Sequence, residues 1–270
     1  VQPVSEGMVV RTNTPEVLEL RKSVVELILA NHDGDCLTCV RNGNCELQRV
    51  AEDLQIREVT FDLTDKEVLI DDLSPSIVRD SRKCILCGRC VSMCKEVQEV
   101  GILDFADRGL NAKVTTAFKM GLEDTPCIYC GQCINVCPVG ALAEKDEIDK
   151  VWEWIHDPSL HVVVQTAPAV RAALGESFGC PAGTSVTGKM AAALRRLGFR
   201  KVFDTDYSAD LTIMEEGHEF LHRLQSGKNL PLITSCSPGW IRYCEFNYPD
   251  LLPHLSTCKS PQQMMGAIVK

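Results

Sequence analysis

The sequence predicts a multidomain chain of mixed class, in which small α+β domains organised by cysteine ligands precede an α/β domain built on a parallel sheet. Three observations lead there. The 270-residue chain carries 15 cysteines, and eight of them form two blocks of identical spacing between Cys84 and Cys137. Ahead of the blocks stands a second constellation, His32-x3-Cys36-x2-Cys39-x5-Cys45. Beyond His161 the ligand pattern stops, and apolar strand-like runs alternate with helical ones, the order that builds parallel sheets covered on both faces. The expected divisions are residues 1–78, 79–157 and 158–270.

Composition narrows the function classes. With 45% hydrophobic residues the chain can bury proper cores. Cysteine-rich chains with no signal peptide and no apolar run of about 18 residues belong in a reducing, cytoplasmic setting where thiolates serve metals. A net charge of -9 disfavours nucleic acid and anionic membrane as partners, since both require a basic surface. The local basic group Arg79, Arg82 and Lys83 reads as a solvated turn.

The elements follow in order. Residues 1–13 have no strong period. Thr14 as N-cap and Pro15 at the first helical position start a helix to about Ala30, with Val17, Leu20, Val24, Leu27 and Ile28 on one face. A second helix is expected from Glu46 to Leu54. A connector with strand-like pieces at Arg57–Leu63 and Glu67–Ile70 turns at Ser74-Pro75. Short strands are expected at Val100–Phe105 and Lys113–Phe118, and a charged helix from Glu144 to His156, ended by Pro158, places Trp152 and Trp154 at a domain junction. In the last part, strands are expected at His161–Thr166, Arg200–Thr205 and Pro231–Ser235, and helices at Lys189–Leu197, Ser208–Gln225 and Gly239–Phe246. Ligands of such sheets sit beyond the carboxyl ends of the strands, which points to Gln165–Pro168, Asp204–Asp206 and Thr234–Cys236.

The cysteine chemistry is set by spacing. The blocks read Cys84-x2-Cys87-x2-Cys90-x3-Cys94 and Cys127-x2-Cys130-x2-Cys133-x3-Cys137-Pro138, the spacing of bacterial two-cluster ferredoxins. There, three closely spaced thiolates hold one 4Fe-4S cubane and the fourth reaches the neighbouring one. The inferred sets are therefore crossed: Cys84, Cys87, Cys90 with Cys137, and Cys127, Cys130, Cys133 with Cys94. Zinc knuckles or a disulfide framework are the competing readings. His32, Cys36, Cys39 and Cys45 suit either structural zinc or a third 4Fe-4S cluster. Beside a two-cluster relay the cluster is the better reading, and its histidine removes one negative charge and should raise its potential.

Other motifs carry less. Gly183-x4-Gly188-Lys189 matches the start of a phosphate-binding loop, but Met190 stands where its hydroxyl residue belongs, so a structural loop is expected. Cys180, Cys244 and Cys258 read as small buried hydrophobes. His161, His218, His222 and His254 lack partners at metal spacing.

Thr166-Ala-Pro-Ala-Val-Arg171, Asp204-Thr-Asp206, Met214-Glu-Glu216, Thr234-Ser-Cys-Ser-Pro-Gly-Trp240 and Lys259-Ser-Pro-Gln-Gln263, following the ligand blocks in this order, resemble an iron-iron (FeFe) hydrogenase catalytic subunit over nearly the whole chain. The resemblance implies that residues 158–270 are part of an H-cluster domain, holding a 4Fe-4S cubane joined to a two-iron centre where H2 is made or split. It implies Cys236, Glu216, Glu219 and Ser256 as proton-relay residues, and Ser237, Pro168, Ala169 and Gln262 as cofactor-facing. Ser237 departs from the family, which has a cubane-ligating cysteine there. The resemblance places the remaining H-cluster ligands beyond Lys270 and allows a 2Fe-2S domain ahead of Val1. It implies redox partners in a hetero-oligomer: ferredoxin, a flavin-containing NADH-oxidising subunit, or a formate dehydrogenase module. The ligand blocks also resemble the iron-sulfur subunit of complex I and related formate dehydrogenase subunits, in which nothing catalytic would happen on this chain. A sensory or degenerate hydrogenase would also accommodate Ser237.

Overall fold

Helix α1 (Pro15–Ala30) starts where the sequence places it, with the Thr14 hydroxyl accepting from the Val17 amide at 3.4 Å in the computed structural model, which describes residues 3–61 and 67–270. Two compact units divide at Lys145–Asp146.

In the first unit, α2 (Glu46–Asp53) begins directly after Cys45, as expected. The connector then departs from expectation. Residues 57–61 form no strand, residues 62 and 63 of that expected piece lie outside the described residues, and the next piece reduces to β1 (Ile70–Asp71). The main strand, β2 (Ile77–Asp80), was not expected at all. It pairs antiparallel with β1 on one side and with β5 (Leu142–Glu144) on the other, in the register Asp71↔Arg79↔Leu142. The sheet thus joins the chain just before the first cysteine block to the chain just after the second.

Between these ends, α3 (Arg89–Ser92) and α4 (Gln132–Asn135) each carry the third cysteine of a block. The hairpin β3 (Asp104–Ala106) and β4 (Lys113–Thr115) is shorter than expected. At its start the Val100 and Gly101 amides donate to the Cys94 carbonyl, and at its end a tight turn takes residues 117–119 out of extended backbone. Residues from both blocks enter the core: Ile77, Val91, Leu103, Leu122, Cys127, Ile134, Cys137, Val139 and Leu142 pack together with Val25 and Leu47.

The second unit opens with α5 (Ile148–His156), which starts later than expected because residues 142–144 are taken by β5. Trp152 stacks on His156 and Lys150 lies over Trp154, with both tryptophans more than a third exposed. The parallel pair β6 (Val163–Thr166) and β7 (Lys201–Asp204) is in register Val163↔Lys201 to Thr166↔Asp204. Between them lie α6 (Pro168–Ser177), which was not expected, and α7 (Thr187–Leu197). Next come α8 (Thr205–Ser226), capped by Asp204, and α9 (Pro238–Asn247). The expected strand at 231–235 is a correction: only Ile233 makes a bridge, and its partner is Leu255. Its hydrogen bonds go to the 254–256 segment, Ile233 N to His254 O and Ser256 N to Ile233 O, so it never joins β6 and β7. The last helix, α10 (Pro261–Val269), carries a Ser260/Gln263 capping box and packs on α8 through Met264, whose sulfur lies 3.3 Å from Thr212 Oγ1. Among the described residues no helix is long and apolar enough to cross a membrane.

Candidate functional site

The two cysteine blocks fold alike because they repeat the same backbone. Leu86 and Tyr129, two residues after the first cysteine of each block, have φ of 56° and 55°, and Gly88 and Gly131, after the second cysteines, have φ of 73° and 71°. Left-handed residues interleaved with right-handed ones turn successive amides inward, a concavity suited to anions and iron-sulfur groups. The Leu86 amide accordingly points to Cys84 Sγ at 3.5 Å.

Each block surrounds a cavity, and each cavity borrows one wall from the other block. One is lined by Cys84, Cys87, Cys90 and Cys137, the other by Cys94, Cys127, Cys130 and Cys133. Their volumes, about 500 and 430 Å³ counted with their open mouths, are similar. The linings are the two crossed sets that spacing predicts. Electrostatics repeats the partition: burial pushes the Cys90 thiol up to about 12, aided by Cys84, Cys137 and Cys87, and burial pushes Cys133 to about 12, aided by Cys127 and Cys130, with Cys90 and Cys94 adding to it. Four thiols that oppose one another's ionisation around a buried cavity suit a cationic iron core, which supplies the charge that lets all four ionise. Among the described residues, no group of three or more His, Cys, Asp or Glu side chains closes on a single-ion site. The thiols stand instead around the cavity rims, which suits the spread corners of a cubane.

The first constellation is fastened to the same core. The Glu46 amide donates to the Pro138 carbonyl at 3.0 Å, Arg41 Nη2 to the Ile134 carbonyl at 3.1 Å, and Arg89 grips Glu46 with two bonds of 2.7 and 2.9 Å. Cys45 packs against the core, and Cys39 lies against Gly140, three residues after Cys137. His32 Nε2 is buried with no hydrogen-bond partner among the described residues. Burial holds its imidazole below the ordinary histidine pKa, favouring the neutral form that ligates metal. An orphaned ring nitrogen beside Cys36, Cys39 and Cys45 in sequence fits a metal-bound group.

In the second unit two of the predicted relay residues are bonded directly to each other. Glu219 and Ser256 come together: Ser256 Oγ donates to Glu219 Oε2 at 3.2 Å, and the Thr257 amide and hydroxyl donate to the same oxygen at 3.1 and 3.2 Å. Arg223 pairs with the other carboxylate oxygen and donates to the carbonyls of Asn229, Pro253, His254 and Leu255. Burial alone would raise the Glu219 carboxyl, but the Thr257 amide and Arg223 hold it below the ordinary value. Glu216 lies one turn earlier on α8, half-buried. Cys236 is exposed on the loop ahead of α9, next to Ser235, whose hydroxyl donates to the Cys258 carbonyl at 3.3 Å, and the Ser237 hydroxyl caps α9 by accepting from the Trp240 amide at 3.4 Å.

Sequence reasoning missed Cys258. It is not a fully buried hydrophobe: its thiol lies 3.7 Å from Glu219 Oε2, and burial, Glu219 and Glu216 together push its pKa up. Cys180 is likewise only half-buried, whereas Cys244 is fully buried as expected. Pro168 and Ala169 are exposed at the start of α6, and the Gln262 carbonyl accepts from Gln165 at 3.1 Å, so both segments border the carboxyl ends of β6 and β7. Arg171 spans that edge, paired with Asp204 and Asp206. Of the basic group Arg79, Arg82 and Lys83, read as a solvated turn, Arg79 is a correction: it is buried at 6% exposure, because β2 carries it into the sheet.

Comparison with known proteins adds the family context. Residues 160–270 match the family model described as iron only hydrogenase large subunit, C-terminal domain. Residues 21–60 match the NADH-ubiquinone oxidoreductase-G iron-sulfur binding region, and 74–143 the ferredoxin-like domain of NADH-quinone oxidoreductase subunit 3. The chain is 54% identical over 99% of its length to NADP-reducing hydrogenase subunit HndD of Solidesulfovibrio fructosivorans, and 42% identical over 99% to iron hydrogenase 1 of Clostridium pasteurianum. In each case it covers 47% of the relative, so the chain spans about half the length of these relatives. The periplasmic Fe hydrogenase large subunit of Nitratidesulfovibrio vulgaris is 50% identical over 46% of this chain and 30% of its own.

Proposed function

Because this chain is homologous to the large subunits of iron-only hydrogenases, we propose that it is the electron-relay and partial catalytic region of an enzyme that interconverts H2 with protons and electrons. The observation that carries this reading is the pair of cavities lined by Cys84, Cys87, Cys90, Cys137 and by Cys94, Cys127, Cys130, Cys133. Each set would hold one 4Fe-4S cluster, and His32, Cys36, Cys39 and Cys45 a third, so that electrons pass one at a time along the chain. The approach of Cys39 to the Gly140 segment supports a first station next to the cluster that Cys137 would serve.

Residues 158–270 would supply part of the H-cluster site, with Pro168, Ala169, Ser237 and Gln262 as the residues that would face it. The H-cluster supplies the metal chemistry of H2 once the full-length protein is matured. This chain's own part is the proton. Glu219 Oε2 accepts from the Ser256 hydroxyl, so the two would offer a hydrogen-bonded path along which a proton could be handed on, while Arg223 and Thr257 hold the carboxylate in place. Cys236 and Glu216 continue the route on the site side and along α8. The Ser237 oxygen is a harder donor than thiolate and already caps α9, so attachment of the cubane at this position is weaker than a cysteine would make it.

Iron analysis and EPR of anaerobically prepared protein test the relay: three reducible 4Fe-4S centres are expected, and zinc at the His32 site would refute the first station. Infrared spectra of the full-length, matured protein test the catalytic half through CO and cyanide bands. A second reading, an electron carrier of the complex I or formate dehydrogenase kind, is favoured by the two family matches at 21–60 and 74–143. Three clusters without those bands would select it, or a sensory relative without H2 turnover. A hetero-oligomeric setting with a ferredoxin or flavin-bearing partner follows from the relay. Cytoplasmic placement rests on thiol usage alone, since one relative is named periplasmic.

A further inference from the structure

Arg79 is the least expected charge in the molecule. It sits at the centre of β2, directly opposite Asp71 of β1, and its side chain is 8% exposed. Its partners only half-satisfy it. Nη2 lies 3.5 Å from Asp71 Oδ2, Nη1 lies 3.4 Å from Thr115 Oγ1, and Nε is buried with no partner among the described residues. Asp71 is no better matched: Oδ2 also accepts from the Leu122 amide at 2.8 Å, and Oδ1 has no partner among the described residues. A guanidinium does not deprotonate in proteins, and a buried charge without full compensation is costly. The missing compensation lies on the open side of Arg79, where it lines the cavity of Cys84, Cys87, Cys90 and Cys137. The thiolates of Cys90, Cys133 and Cys84 act on it with Asp71 against the effect of its burial.

We infer that Arg79 is an electrostatic positioning residue: a fixed buried cation, attenuated by Asp71, that raises the reduction potential of the iron-sulfur group held by Cys84, Cys87, Cys90 and Cys137. This rests on the cluster assignment proposed above. Reduction adds one electron and no proton, so the group gains one negative charge, and a cation in a low-dielectric wall stabilises the reduced form more than the oxidised one. Thiolate ligands alone make the group strongly anionic. Arg79 offsets that charge from inside the fold, where salt does not screen it. The effect is largest on the cavity it lines and smaller on the neighbouring one, which it feels through Cys133.

The test uses the whole chain prepared anaerobically, with iron content measured first and EPR-monitored potentiometric titration second. Arg79→Gln is expected to keep its iron and to lower the potential of this cluster. At the potential where the parent is half-reduced, the reduced-to-oxidised ratio should fall about tenfold, equivalent to about 59 mV for one electron. Arg79→Lys, which keeps the charge, should stay within about threefold of the parent, or roughly 30 mV. Asp71→Asn keeps an acceptor for the Leu122 amide but removes the attenuating charge, and should shift the same cluster the opposite way. The His32 cluster should stay put in all three. A fully loaded Arg79→Gln that titrates like the parent, or shifts of the same sign in Arg79→Gln and Asp71→Asn, would overturn the inference. If Arg79→Gln fails to take up iron, Asp71→Asn decides: an upward shift sustains the inference and an unshifted titration ends it. A parent chain without iron would overturn the underlying cluster assignment, and this inference with it.

Discussion

At Gly140 the fold leaves no room for a side chain: a Cβ there would meet Cys39 Sγ at 2.6 Å. The close approach matters because Cys39 belongs to the first ligand constellation and Gly140 follows Cys137. Gly140→Ala is expected to push Cys39 out of place and to lower iron content by about one third, with the loss confined by EPR to the His32 station. Uniform loss of all signals would instead mark a folding defect. Glu219 is the second informative residue. Its folded pKa is depressed below 4.5, so it contributes stability that is present above the unfolded value and lost as pH falls through the folded one. Glu219→Gln removes that contribution. The stability gap between parent and variant in urea should be widest above about pH 4.5 and shrink on acidification. A gap that stays constant with pH would show that Glu219 acts through packing alone.

At the scale of elements, the ends of helices were more legible than the strands. Thr14-Pro15 and Ser260-Pro261-Gln-Gln263 are capping signals written in adjacent residues, and the structure forms both caps. Ser260→Ala should cost about 1 kcal/mol, read from the shift in urea midpoint, since it removes the bond that the Gln263 amide donates to the Ser260 hydroxyl at the helix that packs on α8. An unchanged midpoint would mean that α10 is held by its Met264 and Met265 contacts alone. The gathering of the cysteines around two cavities was equally legible, because cysteine spacing is a local constraint. Strands depended on information that the sequence window does not carry. Ile77-Val-Arg-Asp80 reads as polar and turn-like until a cross-strand aspartate and a cluster cavity explain a buried arginine. Pro231-Leu-Ile-Thr-Ser235 has an apolar strand composition, yet its backbone bonds are taken by residues 254–256. The Glu219–Cys258 approach spans 39 residues in sequence, and no motif announces it.

For the whole molecule, the two units depend on metal unequally. The core of the first is threaded through both cysteine blocks, so on the proposed reading iron-sulfur binding would contribute directly to its folding. The second is held by β6, β7 and the helices around them, with Met190, Cys244, Leu255 and Met265 buried. Stripping iron with a chelator under reducing conditions is expected to abolish hydrogen-exchange protection over residues 77–144 while residues 187–226 keep theirs. Equal loss in both units would show that one cooperative fold spans them. The difference follows from where the cavities lie: the buried side chains of the first unit pack around the cysteine cavities, and those of the second do not.

The crossed linings also impose an order in time. Cys84, Cys87 and Cys90 emerge from the ribosome well before Cys137, and their cavity has only three walls until the second block is made. Cys94 waits in the same way for Cys127, Cys130 and Cys133. On the proposed reading neither cluster can be finished before the second block is made, and both close almost together as residues 133 and 137 arrive. A nascent chain arrested between the blocks would carry open thiols and no sealed metal site. Delivery of iron and sulfide is therefore an event of the completed double block, and the two halves cannot be inherited, exchanged or lost one at a time.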